Sequence, residues 1–134
     1  MARPVKATLE YFPMDIDFFQ DLKVRKLIRF QGGKAVTVYA ALLCIIYRDG
    51  YYTKWDEDMA FVLSEITNYE QSFIQEAVKC CVKVGLFNPD LYNCESILTS
   101  KGIQERYKQI NKLCKRNISI DEYSCVEEKQ AETE

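Results

Sequence analysis

At 134 residues the chain has the size of one domain, and 48% hydrophobic and 13% aromatic residues are enough to build a core. No signal-peptide pattern opens it and no run approaches the ~20 apolar residues of a membrane-spanning helix, so a cytoplasmic protein with no membrane partner is expected. The net charge of −2 hides an asymmetry: residues 1–116 carry 17 basic and 14 acidic groups, residues 117–134 one basic and six acidic, giving a mildly basic body and an acidic tail.

Residues 1–10 read as a flexible leader without periodicity. The arm YFPMDIDFFQD follows, with Tyr11, Phe12, Phe18 and Phe19 around Pro13; four aromatics carry a large apolar area, so the arm is expected to pack on the core. Asp21 suits the N-cap of a helix from Leu22 to about Gln31. On that helix Val24, Leu27 and Ile28 share one face, and Arg25, Lys26 and Arg29 gather on the other. Gly32-Gly33 ends it. Ten apolar residues, Val38 to Tyr47, then lie within a helix predicted over 34–48. Apolar on every side, this helix is expected to be buried at the centre.

Asp49-Gly50 makes a turn into a strand over 51–54. Asp56 caps a helix over 56–65 whose acidic first turn suits the helix dipole. A short connection leads to a helix over 70–84, where Thr67 with Glu70 and Asn68 with Gln71 have capping-box spacing. Phe73, Ala77, Cys81 and Val84 are its expected buried stripe, and Gly85 stops it. Strands over 86–88 and 97–99 bracket NPDLYNCES, which reads as the flexible tip of a β-hairpin. Ser100 caps a helix over 101–115 with Ile103, Tyr107, Ile110 and Cys114 on one side. Beyond it, ISIDEY suggests a short strand, and VEEKQAETE has the composition of a disordered tail.

The expected fold is mostly α with a small β-sheet (α+β). Its order of helix, strand, helix, helix and hairpin is that of a winged helix-turn-helix, here with an extra N-terminal helix and a C-terminal helix. The domain is expected over residues 11–116, with the acidic tail at 117–134.

Several stretches together resemble one family. YFPMDIDFF, the run from Gly33 through YAALLCIIYRDGYYTKWDED, VGLF and LTSKGIQERY follow one another over roughly residues 10–120. They are similar to the N-terminal domain of bacterial and prophage proteins of unassigned function, which is itself similar to the DnaD-type winged helix of replication-initiation proteins. The resemblance implies a winged-helix fold, a mobile-element setting, a role close to DNA replication or DNA binding, and a tendency to self-associate. Family members often have a His after Phe-Pro. Met14 stands there in this chain, so no metal or titrating role carries over.

In a DNA-binding winged helix the third helix enters the major groove. Its outward face here would hold Ser72, Gln75, Lys79 and Lys83, with Gln71 near its start, but Glu70 and Glu76 offset the two lysines. The expected wing carries Asp90 and Glu95 and no basic residue. A stronger basic signal lies on the last helix, at Lys101, Lys108, Lys112 and Lys115 with Arg116 nearby, and on the first, at Arg25, Lys26 and Arg29. Either face could neutralise phosphates or be an ordinary solvated surface.

Catalysis has little to work with. Without any His there is no Ser-His or Cys-His pair, and no Gly-rich phosphate loop is present. Asp15, Asp17 and Asp21, or Asp56, Glu57 and Asp58, offer carboxylates for two metal ions; the second group is already explained by capping. The six cysteines show neither CxxC nor zinc spacing and are expected to be reduced and mostly buried. The expected protein is therefore non-catalytic, without cofactor or metal. Its expected function is DNA binding in a replication-initiation-like role; the alternative is a self-associating protein–protein module, for which the many aromatics of the N-terminal half supply surface.

Overall fold

The computed structural model describes residues 9–116 and 120–125. The remaining parts of the expected leader and tail, and the first residues of the expected ISIDEY strand, lie outside the described residues. Six α-helices are described: α1 (Leu22–Gln31), α2 (Lys34–Asp49), α3 (Glu57–Thr67), α4 (Gln71–Lys83), α5 (Pro89–Glu95) and α6 (Lys101–Leu113). Two short strands, β1 (Thr53–Lys54) and β2 (Ile97–Leu98), pair antiparallel with Thr53 opposite Leu98 and Lys54 opposite Ile97. The fold is α+β, as expected.

The central helix is α2. Val38, Leu42 and Ile46 on it are fully buried, and α1, α3 and α4 pack around it. Its apolar run is not covered on every side, however. Thr37, Ala40, Cys44 and Arg48 form an exposed stripe, because three neighbouring helices leave one side of a cylinder open. Burying each large aliphatic side chain contributes about 1.5–3 kcal/mol, so the buried face of α2 outweighs any one cap in the fold.

Local signals set the helix ends. Asp21 accepts the Lys23 N–H at 2.8 Å and Asp56 accepts that of Met59 at 2.9 Å. Gly32, at φ 86°, and Gly50, at φ 146°, close α1 and α2 in backbone conformations that side chains disfavour. The capping boxes expected before α4 do not form. Glu70 is the N-cap and gives no side-chain bond. Thr67 instead donates to the Leu63 carbonyl and accepts the Tyr69 N–H, while Asn68 takes the left-handed conformation that ends α3. These residues close the preceding helix, and residues 68–70 form the turn between α3 and α4. On α4, Ala77 and Cys81 are buried as expected, whereas Phe73 and Val84 are only partly so.

The expected hairpin is replaced. Residues 86–88 form no strand, and β2 pairs with β1 instead of with them. The Asn88 N–H still donates to the Thr99 carbonyl at 2.8 Å, but the segment expected as a flexible tip is helix α5. Asn88 caps it by accepting the Leu91 N–H at 2.9 Å, Pro89 occupies the first turn, and Asp90 faces the positive end of the dipole. Those are helix-start signals, and they prevail over the turn-rich composition.

On α6 the buried face is rotated from the one expected. Ile103 and Tyr107 are buried, but so are Gln104 and Asn111, while Cys114 is exposed. Gln104 is satisfied by the chain beyond the helix: its side chain donates to the Tyr123 carbonyl at 2.8 Å and accepts the Cys125 N–H at 2.7 Å. Ile120 is buried, and the Glu122 carboxylate accepts the Tyr52 hydroxyl at 2.8 Å. The described part of the C-terminal segment thus lies on the body and contains no strand. At the other end, the Leu9 N–H donates to the Tyr47 carbonyl at 3.0 Å. Of the four arm aromatics, Phe12 stacks on Tyr47 and Phe18 on Tyr39, whereas Tyr11 and Phe19 face solvent.

Candidate nucleic-acid interface

The candidate residues separate into two surfaces. The first is the seam between α1 and α4, which run antiparallel. Near the end of α1, Phe30 and Gln31 meet Glu76, Lys79, Cys80 and Lys83 of α4 around a shallow depression of about 220 Å³. Toward the start of α1, the Lys23 side chain lies over Gly85, 3.3 Å from where a β-carbon would stand. Lys26 comes three residues after Lys23 and four before Phe30, so helix geometry puts all three on one side. Lys23, Lys26, Lys79 and Lys83 therefore flank one seam, with Glu76 as the acidic residue among them.

Glu76 offsets the charge of Lys79 but does not hold it tightly. Their ion pair is 3.7 Å long and both side chains are more than 60% exposed, so it contributes only about 0–1 kcal/mol and is readily exchanged for a stronger anion. Ser72 is exposed on the same face of α4, with Gln75 half-buried beside it and Gln71 half-buried at the helix start. Arg25 and Arg29 are exposed on the flank of α1 turned away from the seam. Phe30, 58% exposed, gives the seam an apolar ridge. Lys34 is drawn off elsewhere, its ammonium 4.8 Å from the centre of the Tyr69 ring and 5.2 Å from that of Phe73, fastening the start of α2 to the turn before α4.

The second surface is the α6 stripe. Lys101 and Lys112 are exposed, Lys108 is half-buried, and Lys115 and Arg116 are exposed beyond the helix end. Arg116 donates to the buried Asn111 side chain at 3.1 Å and so helps to finish the helix. Asp121 and Glu122 follow on the segment tied to Gln104, which places carboxylates on the α6 side of the body. The stripe is therefore less purely basic than its own helix suggests.

Sequence reasoning missed Lys23. Its signal was the spacing to Lys26 and Phe30, but the partner helix could not be read from spacing alone.

Other candidate chemistry is committed to structure. The Asp15, Asp21 and Asp56 carboxylates each accept a nearby backbone N–H, and among the described residues no three His, Cys, Asp or Glu side chains gather as a metal site. The cysteines are not mostly buried: Cys44, Cys94 and Cys114 are exposed, Cys125 is intermediate, and Cys80 and Cys81 are buried. Burial pushes the thiols of Cys80 and Cys81 up, with Lys83 opposing the shift at Cys80. Both stay protonated and unreactive at neutral pH. No described helix is long and apolar enough to cross a membrane.

Comparison with known proteins agrees with the order of motifs. No solved structure matches the chain. It is 33% identical over 123 residues to a protein of Listeria innocua serovar 6a described as the uncharacterised phage-related protein Lin1244/Lin1753; the match takes in 92% of this chain and 40% of that relative, so the chain spans less than half of the relative's length. The family model described as Lin1244/Lin1753-like, N-terminal, matches residues 11–103, from the aromatic arm to the start of α6, and the chain belongs to that family.

Proposed function

We propose that the chain is a non-catalytic DNA-binding module of a phage or mobile element, acting near replication initiation, and that the α1–α4 seam is its DNA-contacting surface. The observation that carries this reading is the packing of α1 beside α4, which sets Lys23 over Gly85 and Phe30 against Lys79 and Lys83, with Lys26 between them on α1. Alone, the outward face of α4 has no net positive charge. Beside α1 it becomes a basic ridge, and α4 follows a three-residue turn as the second helix of a helix-turn-helix pair, the position that enters the major groove. Ser72 and Gln75 would then face base edges while the lysines meet phosphates. Helix α5, in place of a basic wing, adds no phosphate contact.

Fluorescence anisotropy with a short duplex tests this. Four phosphate contacts give a log–log salt slope of about −3 to −4. The K26E/K79E/K83E variant should lose at least about tenfold in affinity and most of that slope, while K108E/K112E should change both little. Equal losses in the two variants would move the contact to α6, and no wild-type affinity at about 50 mM salt would dismiss DNA binding.

A second reading, self-association, has its own observation. Phe61, Val62 and Ile66 of α3 are 52%, 41% and 57% exposed, a concentration of apolar surface on one helix. Sedimentation of wild type and F61S/I66S decides it: a wild-type dimer that the variant dissolves supports this reading, and a monomeric wild type removes it.

A further inference from the structure

A groove of about 830 Å³ lies between the N-terminal arm, α2 and the start of α6. That is within the ~300–1,000 Å³ range of ligand pockets. Its apolar wall is formed mainly by Phe12, Phe18, Val36, Leu43 and Leu86, with Phe87 enclosed behind them. Its polar end is built from three elements. Tyr39 is 95% buried by its 5% exposure, yet among the described residues its hydroxyl has no hydrogen-bond partner. No fully enclosed side-chain N or O atom in the described structure lacks a partner, so this hydroxyl keeps some accessible surface, and Tyr39 is among the residues that line the groove.

Arg106 lies beside it. Its Nε donates to the Tyr47 hydroxyl at 3.1 Å, which fixes the plane of the guanidinium. Its two terminal nitrogens lie 3.7 and 3.8 Å from where a β-carbon on Gly102 would stand, against the first turn of α6. In that turn the Ile103 N–H is taken by the Ser100 hydroxyl and the Gln104 N–H by the Ser100 carbonyl. The N–H groups of Lys101 and Gly102 come before them, where a helix supplies no internal acceptor. A planar cation, a neutral phenol and two open N–H groups thus meet at one end of an apolar groove.

Charge limits the ligand further. Asp15, Asp17 and Asp21 line the groove together with Lys23, Lys101 and Arg106, so its acidic and basic side chains balance. The three carboxylates disfavour a dianion and favour a head group of single charge.

We propose that this groove binds a carboxylate carried on a hydrophobic body, its head group held by Arg106, the Tyr39 hydroxyl and the N-terminus of α6, and its apolar part lying against Phe12 and Phe18. A free aromatic or aliphatic acid and the C-terminal residue of a peptide both present this chemistry. Burial pushes the Tyr39 phenol up, with Arg106 opposing, so it remains a proton donor to such a head group at neutral pH.

Amide-detected NMR titration of the full chain tests the proposal. N-acetyl-phenylalanine should shift the Lys101 and Gly102 amides and bind at least about tenfold more tightly than its neutral carboxamide, since a charged acceptor roughly doubles the strength of each hydrogen bond. A short peptide ending in phenylalanine identifies a chain end as the ligand if it binds more tightly than the free acid, and a small acid if it does not. Arg106→Gln should weaken the acid by about tenfold or more. Tyr39→Phe, which keeps the ring contacts with Phe18 and Phe87, should weaken it by about two- to tenfold and serves if Arg106→Gln does not fold. Equal binding of acid and carboxamide, shifts confined to other amides, or tighter binding of phenyl phosphate than of the carboxylate would overturn the proposal.

Discussion

Tyr47 is the last residue of the apolar run and one of its two tyrosines. It is almost fully buried, and its hydroxyl donates to the Ile103 carbonyl at 3.3 Å and accepts from Arg106 Nε at 3.1 Å. Its ring stacks on Phe12 and its carbonyl holds the Leu9 N–H. One side chain therefore joins the arm, α2 and α6. Tyr47→Phe should cost about 1–2 kcal/mol in urea denaturation, because it removes the buried hydroxyl that bonds both the Ile103 carbonyl and the Arg106 Nε, leaving the latter without its acceptor. Gln104 works the same way at the C-terminal end. Gln104→Ala removes its bonds to Thr99, Tyr123 and Cys125, should cost about 2–3 kcal/mol, and should raise hydrogen exchange at the Cys125 amide. The sequence shows Tyr47 as core, but gives no sign that its partners lie 56 and 59 residues away. Gln104 reads as a surface residue, since its role depends on a segment that returns only after α6 has ended.

At the scale of elements, local chemistry predicted most boundaries. Asp21, Asp56 and Ser100 all cap the helices they were expected to start, and α1, α2, α3, α4 and α6 lie close to their expected ranges. Ser100→Ala should cost about 1 kcal/mol in thermal or urea denaturation, the usual effect of losing an N-cap. Leu42→Ala, at a fully buried position of α2, should cost about 2–5 kcal/mol by the same measurement. A cap loss as large as the core loss would contradict the central place assigned to α2. The exception at this scale is α5. Asn88-Pro89-Asp90 carried a cap, a helix-compatible proline and a first-turn acid, yet a hairpin tip was expected because short polar stretches between apolar pairs usually turn. The pairing of β2 with β1 decided otherwise. It leaves residues 89–95 free to close their own hydrogen bonds as a helix.

At the scale of the molecule, the titrating groups that shift move in one direction. The Tyr52 hydroxyl is pushed up to about 12, first by donating to the Glu122 carboxylate and then by burial. Burial raises Tyr39, Tyr47, Tyr51 and Tyr107 as well, and the Cys81 thiol with them. These groups hold their protons more tightly folded than unfolded. Their contribution is fully present below the unfolded values of about 9–10 and is lost as pH rises through the folded ones. The urea midpoint should therefore be flat between about pH 6 and 8, where no histidine titrates, and fall steadily above about pH 9. A midpoint that rises with alkali would contradict the burial of these phenols. What the sequence alone determined is the succession of elements and the mildly basic character of the body, because caps, glycine stops and apolar periodicity act over a few residues. Which faces meet was decided by tertiary structure alone. The packing of α1 against α4 brings Phe30 to Lys79 and Lys83 and the Lys23 side chain to Gly85, and the packing of the arm and α6 on α2 brings Tyr39, Arg106 and the α6 N-terminus to one groove. These contacts join residues far apart in the chain, and their geometry follows from how the helices fit around α2.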